Sequence, residues 1–334
     1  MSGLLLLGLL IILGGAYLFT NGVEWIGKRL RLSQGVVGSV LAGVGTAMPE
    51  TMVPVMAIFF GDGESREAVG IGAILGAPFM LTCLALPLLG LGVLFFSSMG
   101  KRTTAIPLNV PLVRIDLGFF LISYGIALLM ALLPLGGSGR WIHYAAAATL
   151  IVLYLFYLRR LLIKEGSVGE DLEPLILSRG LNRNRDHPPT ALILTQVALG
   201  FGLVISGAHF FVDGMQRLSQ TIGVPPLILS LIITPIATEL PECFNSLIWI
   251  ARRKDTLAVA NITGAMVFQS TFPVSVGLIG TPWQLDRFGL TSAGLAILTA
   301  FMLYGIILFG SRWRPIHLIG CMVFYLTYIL YVFG

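Results

Sequence analysis

Charge is what this chain has least of. Of its 334 residues only 11% are charged, while 56% are hydrophobic. A soluble domain of this size carries roughly a quarter charged residues, so a soluble fold is excluded. Cysteine is almost as scarce. Cys83, Cys243 and Cys321 all lie in apolar runs without the spacing of a zinc site, and they read as packed thiols rather than a disulfide framework. No HExxH or GxSxG motif is present to support intramembrane hydrolysis through Glu239 and Glu242, and no enzyme is expected. The opening run MSGLLLLGLLIILGGAYLF lacks a basic region ahead of it, so it reads as a retained first helix.

What the chain does have is apolar runs of about 20 residues, the length that crosses a hydrocarbon core as a helix. Ten are expected: Gly3–Thr20, Gly35–Phe60, Ala68–Phe96, Ile115–Pro134, Trp141–Tyr157, Thr190–Val212, Leu227–Ile250, Thr256–Gly280, Leu290–Phe309 and Pro315–Val332. Seventeen of the 21 Lys and Arg residues then fall in odd-numbered loops and four in even-numbered ones. Basic loops stay cytoplasmic, which sets both termini outside. The net charge of +5 follows from this topology and implies no nucleic-acid partner. The expected fold is an all-α polytopic membrane protein in a prokaryotic plasma membrane, with five helices on each side of a cytoplasmic linker. The divisions fall at 1–163, 164–188 and 189–334.

The two halves repeat. Shifted by 192 residues, Gly15–Glu50 lies over Gly207–Glu242 without a gap. Thr46/Thr238, Pro49/Pro241 and Glu50/Glu242 are identical pairs within the one polar mid-span cluster of each half. A second pair, GAILGAPFML (Gly72–Leu81) over ANITGAMVFQ (Ala260–Gln269), follows at a shift of 188. Five spans per half turns the second copy upside down, and inverted repeats of this kind place a substrate site at the repeat interface near the midplane.

The residues at that interface suit a cation. Pro49 and Pro241 lack an N–H and deprive the carbonyls four residues earlier of a partner, and Pro54 and Pro235 do the same one turn away. Thr238 and Glu242, spaced i and i+4, are expected on one helical face, as are Thr46 and Glu50. Carboxylates, hydroxyls and bare carbonyls form the oxygen shell that hard cations such as Ca²⁺ prefer. An ionised carboxylate at mid-bilayer costs roughly 2.5–3.5 kcal/mol on insertion scales. No Lys or Arg lies at matching depth in these spans, so cations or protons must neutralise Glu50, Glu239 and Glu242. A channel using the same ligands is the competing reading, and the inverted repeat favours alternating access over it.

GVGTAMPE and PIATELPE resemble the paired GTSLPE motifs of the Na⁺/Ca²⁺ exchanger branch of the cation/calcium exchanger superfamily. GAILGAPFML and ANITGAMVFQ look like its companion GNVIGSN segments. The resemblance covers both halves. It implies Ca²⁺ ligation by Glu50 and Glu242, hydroxyl or carbonyl ligation by Thr46 and Thr238, and backbone oxygens from Gly43 and Pro235. It also implies an antiporter with no resident cofactor, whose partners are inorganic cations and the lipid bilayer; Ca²⁺ and its counter-ion are cargo.

This sequence departs from the pattern. The motif serine is Ala47 in one half and Glu239 in the other; the partner-helix serine is Ala77 and Ala265; the ligand four residues on is Leu81 and Gln269; the amide is Ala73 and Asn261. The first half is stripped of ligands and the second gains a carboxylate. Asn261 and Gln269 are therefore candidate ligands, and Glu239 is expected to exchange a proton or fill a cation subsite. The alternatives are an exchanger without Na⁺ coupling or a relative inactive in transport. His209 is expected to pack or line a pore, and Asn21 and Asp213 to cap helices.

Overall fold

Glycines spaced seven apart set the most extensive helix pairing among the described residues. The computed structural model describes residues 2–29, 48–61, 65–133, 139–162, 173–180, 188–310 and 312–334. Helix α1 (Ser2–Arg29) carries Gly8, Gly15 and Gly22, and α8 (Thr190–Ile222) carries Gly200, Gly207 and Gly214. A Cβ on Gly15 would lie 2.8 Å from the Val204 nitrogen, and one on Gly207 would lie 2.8 Å from the Gly8 carbonyl oxygen. Early residues of one helix meet late residues of the other, so the pair runs antiparallel. A seven-residue spacing keeps the glycines on one seam, and small residues let backbones approach where lipid supplies no hydrophobic drive for association. These three glycines of α1 match the three of α8 at the shift of 192, extending the repeat back to Gly8 and Gly200.

Between these come α2 (Met48–Val55, continued by a π-helical turn, Met56–Phe60), α3 (Arg66–Met80), α4 (Leu86–Ser98), α5 (Val110–Leu132), α6 (Arg140–Leu162) and the short α7 (Ile176–Gly180). After α8 follow α9 (Pro226–Thr238), α10 (Leu240–Ala251), α11 (Asp255–Gln269), α12 (Phe272–Gly280), α13 (Arg287–Leu308), α14 (Pro315–Gly320) and α15 (Met322–Phe333). Among the described residues eight spans are long and apolar enough to cross a membrane, and α9 with α10, bent by 50°, makes a ninth when the pair is counted as one span. The described end of the remaining expected span is the apolar helix Pro49–Phe60.

The spans 66–98 and 255–280 form the centre, with 67% of their apolar windows buried against 17–39% for the other six. Each is interrupted at a matched position. A π-helical turn, Leu81–Ala85, follows α3, and α11 stops at Gln269 before the turn into α12. Leu81 and Gln269 are the pair equated at the shift of 188. Inter-helix hydrogen bonds satisfy polar groups buried here, as a hydrocarbon surround demands. Ser230 Oγ on α9 donates to the Val69 carbonyl on α3 at 2.7 Å, and Thr299 on α13 meets Cys83 Sγ at 3.2 Å. Asp116 on α5 accepts from Tyr157 of α6 at 3.0 Å and from Thr263 of α11 at 2.6 Å.

Three expectations are corrected. Helix α1 runs past Thr20 to Arg29 and α8 past Val212 to Ile222, so Asn21 and Asp213 lie inside helices and cap neither. Asn21 is buried and accepts from Ile176 N and from Gln196 Nε2. His209 is not packed in the core; it is exposed on α8, its Nε2 3.7 Å from the Asp213 carboxylate one turn on. Part of the linker is also docked. The Glu173 carbonyl accepts from the Trp25 indole at 3.0 Å, and Leu175 is buried beside Trp25 and Ile193. The aromatic and amide groups of α1 and α8 at this end hold it there.

Candidate cation site

Helix α9 ends at Thr238 and α10 begins at Leu240 because Pro241 has no N–H to offer the Ala237 carbonyl. The break lies at Glu239, and the negative end of the α9 dipole points into it. Pro235 likewise leaves the Leu231 carbonyl without its helical partner. Gly76 of α3 covers that oxygen so closely that a Cβ on Gly76 would lie 2.2 Å from it.

At the break three acidic side chains converge. One carboxylate oxygen each from Glu50, Glu239 and Glu242 lies within 4.8 Å of the other two. Glu50 is 4% exposed, Glu239 0% and Glu242 7%. Both oxygens of Glu50, Oε2 of Glu239, Oε2 of Glu242 and Oε1 of Gln269 are buried without a hydrogen-bond partner among the described residues. The one side-chain donor that reaches the cluster's carboxylates among the described residues is Gln269 Nε2, 3.1 Å from Glu239 Oε1. No Lys or Arg among the described residues forms an ion pair with any of the three.

The other expected ligands divide. Thr238 is buried, but the helix breaks one residue beyond it, so a continuous i, i+4 face shared with Glu242 does not exist. Its hydroxyl donates to the Thr234 carbonyl at 3.1 Å, which leaves its oxygen lone pairs as acceptors. The Pro235 carbonyl accepts the Glu239 amide at 2.9 Å. Asn261 adjoins the cluster through backbone: its Nδ2 donates to the Glu242 carbonyl at 3.2 Å and to Ser246 Oγ at 3.1 Å. Gly43 and Thr46 lie outside the described residues. Ser246 was missed, although its place one turn after Glu242 was a usable signal.

The geometry defines a multi-pass membrane protein with a buried cluster of three carboxyl groups whose oxygens suit a cation. Comparison with known proteins gives the family. The sodium/calcium exchanger protein family model matches residues 2–162 and 192–334, so the chain belongs to that family, one of membrane antiporters rather than enzymes. It is 26% identical over 289 residues to a protein named as a putative antiporter, CaxA of Alkalimonas amylolytica, covering 84% of this chain and 81% of that one. The solved H⁺/Ca²⁺ exchanger CAX shares its fold with a TM-score of 0.75 at 13% identity, covering 98% of this chain and 81% of the other. The sodium-calcium exchanger NCX_Mj gives 0.59 at 19% identity, with 98% and 97% covered.

Proposed function

We propose that the protein exchanges Ca²⁺, or a divalent cation of similar size, for Na⁺ or H⁺ by alternating access. The observation that carries this reading is the convergence of Glu50, Glu239 and Glu242 within 4.8 Å in a buried place. At that separation two carboxylates repel by about 3–4 kcal/mol at an effective dielectric constant of 20. An empty, fully ionised site therefore resists passage between inward-facing and outward-facing states, and a site discharged by cations or protons does not. Such occupancy-dependent neutrality is what couples one ion to another. Glu50 and Glu242 are the central ligands in this reading, with Thr46, Thr238, Gln269, Asn261, Gly43 and Pro235 completing the shell.

The ten-span arrangement as two inverted five-helix repeats, with both termini outside, belongs to the same proposal. The antiparallel α1 and α8 and the matched interruptions at Leu81 and Gln269 support it.

Glu239 decides the counter-ion. It occupies the place of a motif serine, and Gln269 holds one of its oxygens, so we assign it the exchanged proton. Deprotonation is required for a carboxylate to ligate a metal, and binding then releases protons. In proteoliposomes the Ca²⁺ concentration for half-maximal uptake is expected to rise about tenfold per unit fall in pH for each proton displaced. Glu239→Ser should flatten that dependence and suppress uptake driven by a pH gradient. Uptake driven by Na⁺ alone, with an unchanged pH profile in Glu239→Ser, sinks the proton assignment while leaving Ca²⁺ transport intact.

A further inference from the structure

Away from the carboxylates, three loops meet at one end of the bundle around a cavity of about 1350 Å³. They join α4 to α5, α10 to α11 and α13 to α14. Five basic side chains line it: Arg102, Arg253, Arg312, Arg314 and His317. The lining holds one acid, Asp255, and Arg102 already consumes it at 2.6 Å with both side chains buried. Three more Arg102 donors go to the carbonyls of Thr103, Ala105 and Ile250. Arg102 and Asp255 are therefore a neutral strut that shapes the wall.

The other arginines keep their charge. Arg253 has a left-handed backbone, φ +60, and its guanidinium donates to the Lys101 carbonyl, which pins two of the loops together. Arg312 and Arg314 are exposed, and neither has a carboxylate partner among the described residues. His317 Nδ1 accepts the Arg314 amide at 3.2 Å, which leaves Nε2 as a further donor. Planar guanidinium donors match the oxygens of phosphate.

The position says where that phosphate comes from. Helices α4, α10 and α13 end here, at Ser98, Ala251 and Leu308, so the cavity lies at head-group depth. Apolar side chains also line it: Leu94 and Ile316, exposed at 41% and 65%. We propose that the cavity binds the head-group phosphate of an anionic phospholipid, with its acyl chains along Leu94 and Ile316. Three uncompensated arginines reject a head group that carries its own cation. Basic pockets between spans, on the face rich in Lys and Arg, are suited to such lipids.

The test is a lipid titration of the purified full chain by native mass spectrometry, with phosphatidylglycerol, phosphatidylcholine and inorganic phosphate as separate probes. Phosphatidylglycerol is expected to be retained in preference to phosphatidylcholine, and inorganic phosphate not to displace it. Arg312→Gln/Arg314→Gln should weaken phosphatidylglycerol retention about thirtyfold, from roughly fivefold per arginine near a membrane surface. A photoactivatable phosphatidylglycerol on the unmutated protein should label the peptides containing Leu94 and Ile316, which keeps the test open if the variant folds poorly. Equal retention of both lipids, an unaffected double variant, labelling elsewhere, or saturable binding of inorganic phosphate in place of lipid overturns the proposal.

Discussion

Glu50→Gln and Glu242→Gln proteins are expected to purify as folded membrane proteins that bind Ca²⁺ at least about a hundredfold more weakly and exchange it at background rates. The magnitude follows from the ligands' position. Loss of a partner one shell beyond a metal already costs about 10–100-fold in affinity, and these carboxylates would touch the ion itself. Folding should survive, because each substitution removes one of three acidic groups that, when ionised, repel across no more than 4.8 Å. In the absence of divalent ions the variants should be at least as heat-resistant as the unmutated protein, which alone should gain stability as Ca²⁺ is added. Melting in detergent with and without Ca²⁺, beside flux in proteoliposomes, reads both effects. Exchange at the unmutated rate in Glu50→Gln would remove that residue from the ligand set.

Much of this site was legible because the expensive residues occur twice. Glu50 and Glu242 fall at one register of a gapless repeat, and carboxylates in apolar spans need a reason to be there. Glu239 was harder. Its repeat partner is Ala47, so pattern matching alone made it an anomaly, and only the helix break at Glu239 brings its carboxylate to the other two. The expected shared face of Thr238 and Glu242 failed for the same reason: i, i+4 spacing assumes an unbroken helix, and Pro241 ends it. Helix lengths misled at α1 and α8, where polar residues such as Asn21 looked like boundaries. Asn21 is inside its helix because Gln196 and the chain around Glu173 satisfy it, contacts more than 150 residues away in sequence that no local pattern reports. The basic cavity was hidden likewise. Its arginines were visible as topology signals, but three separate loops had to meet before they could be read as one site.

Gly207→Leu is expected to abolish both folding yield and exchange, whereas Gly202→Leu, earlier on the same helix, should leave both near normal. A Cβ on Gly207 would lie 2.8 Å from the Gly8 carbonyl oxygen and from the Ile12 nitrogen, and these are backbone atoms that cannot rotate away. A Cβ on Gly202 meets nothing within 4 Å. Ordinary overpacking costs about 1–3 kcal/mol, and a leucine driven into a backbone seam exceeds it. Alanine separates the causes. In a helix interior, Gly to Ala is favourable by roughly 1 kcal/mol from propensity alone, so Gly202→Ala should raise the melting temperature. Gly207→Ala receives the same benefit, yet it must push α1 from α8 and should lower it. The damage would not stop at the seam. Ile12 and Phe211, on the two sides of it, pack in one cluster with Val53 and Ala57 from the segment that carries Glu50. Forcing the helices apart should therefore displace a ligand as well as loosen the fold, and Gly207→Ala should lose Ca²⁺ affinity along with stability. A Gly207→Ala protein that melts and binds Ca²⁺ like the unmutated one would show that the seam can open without cost.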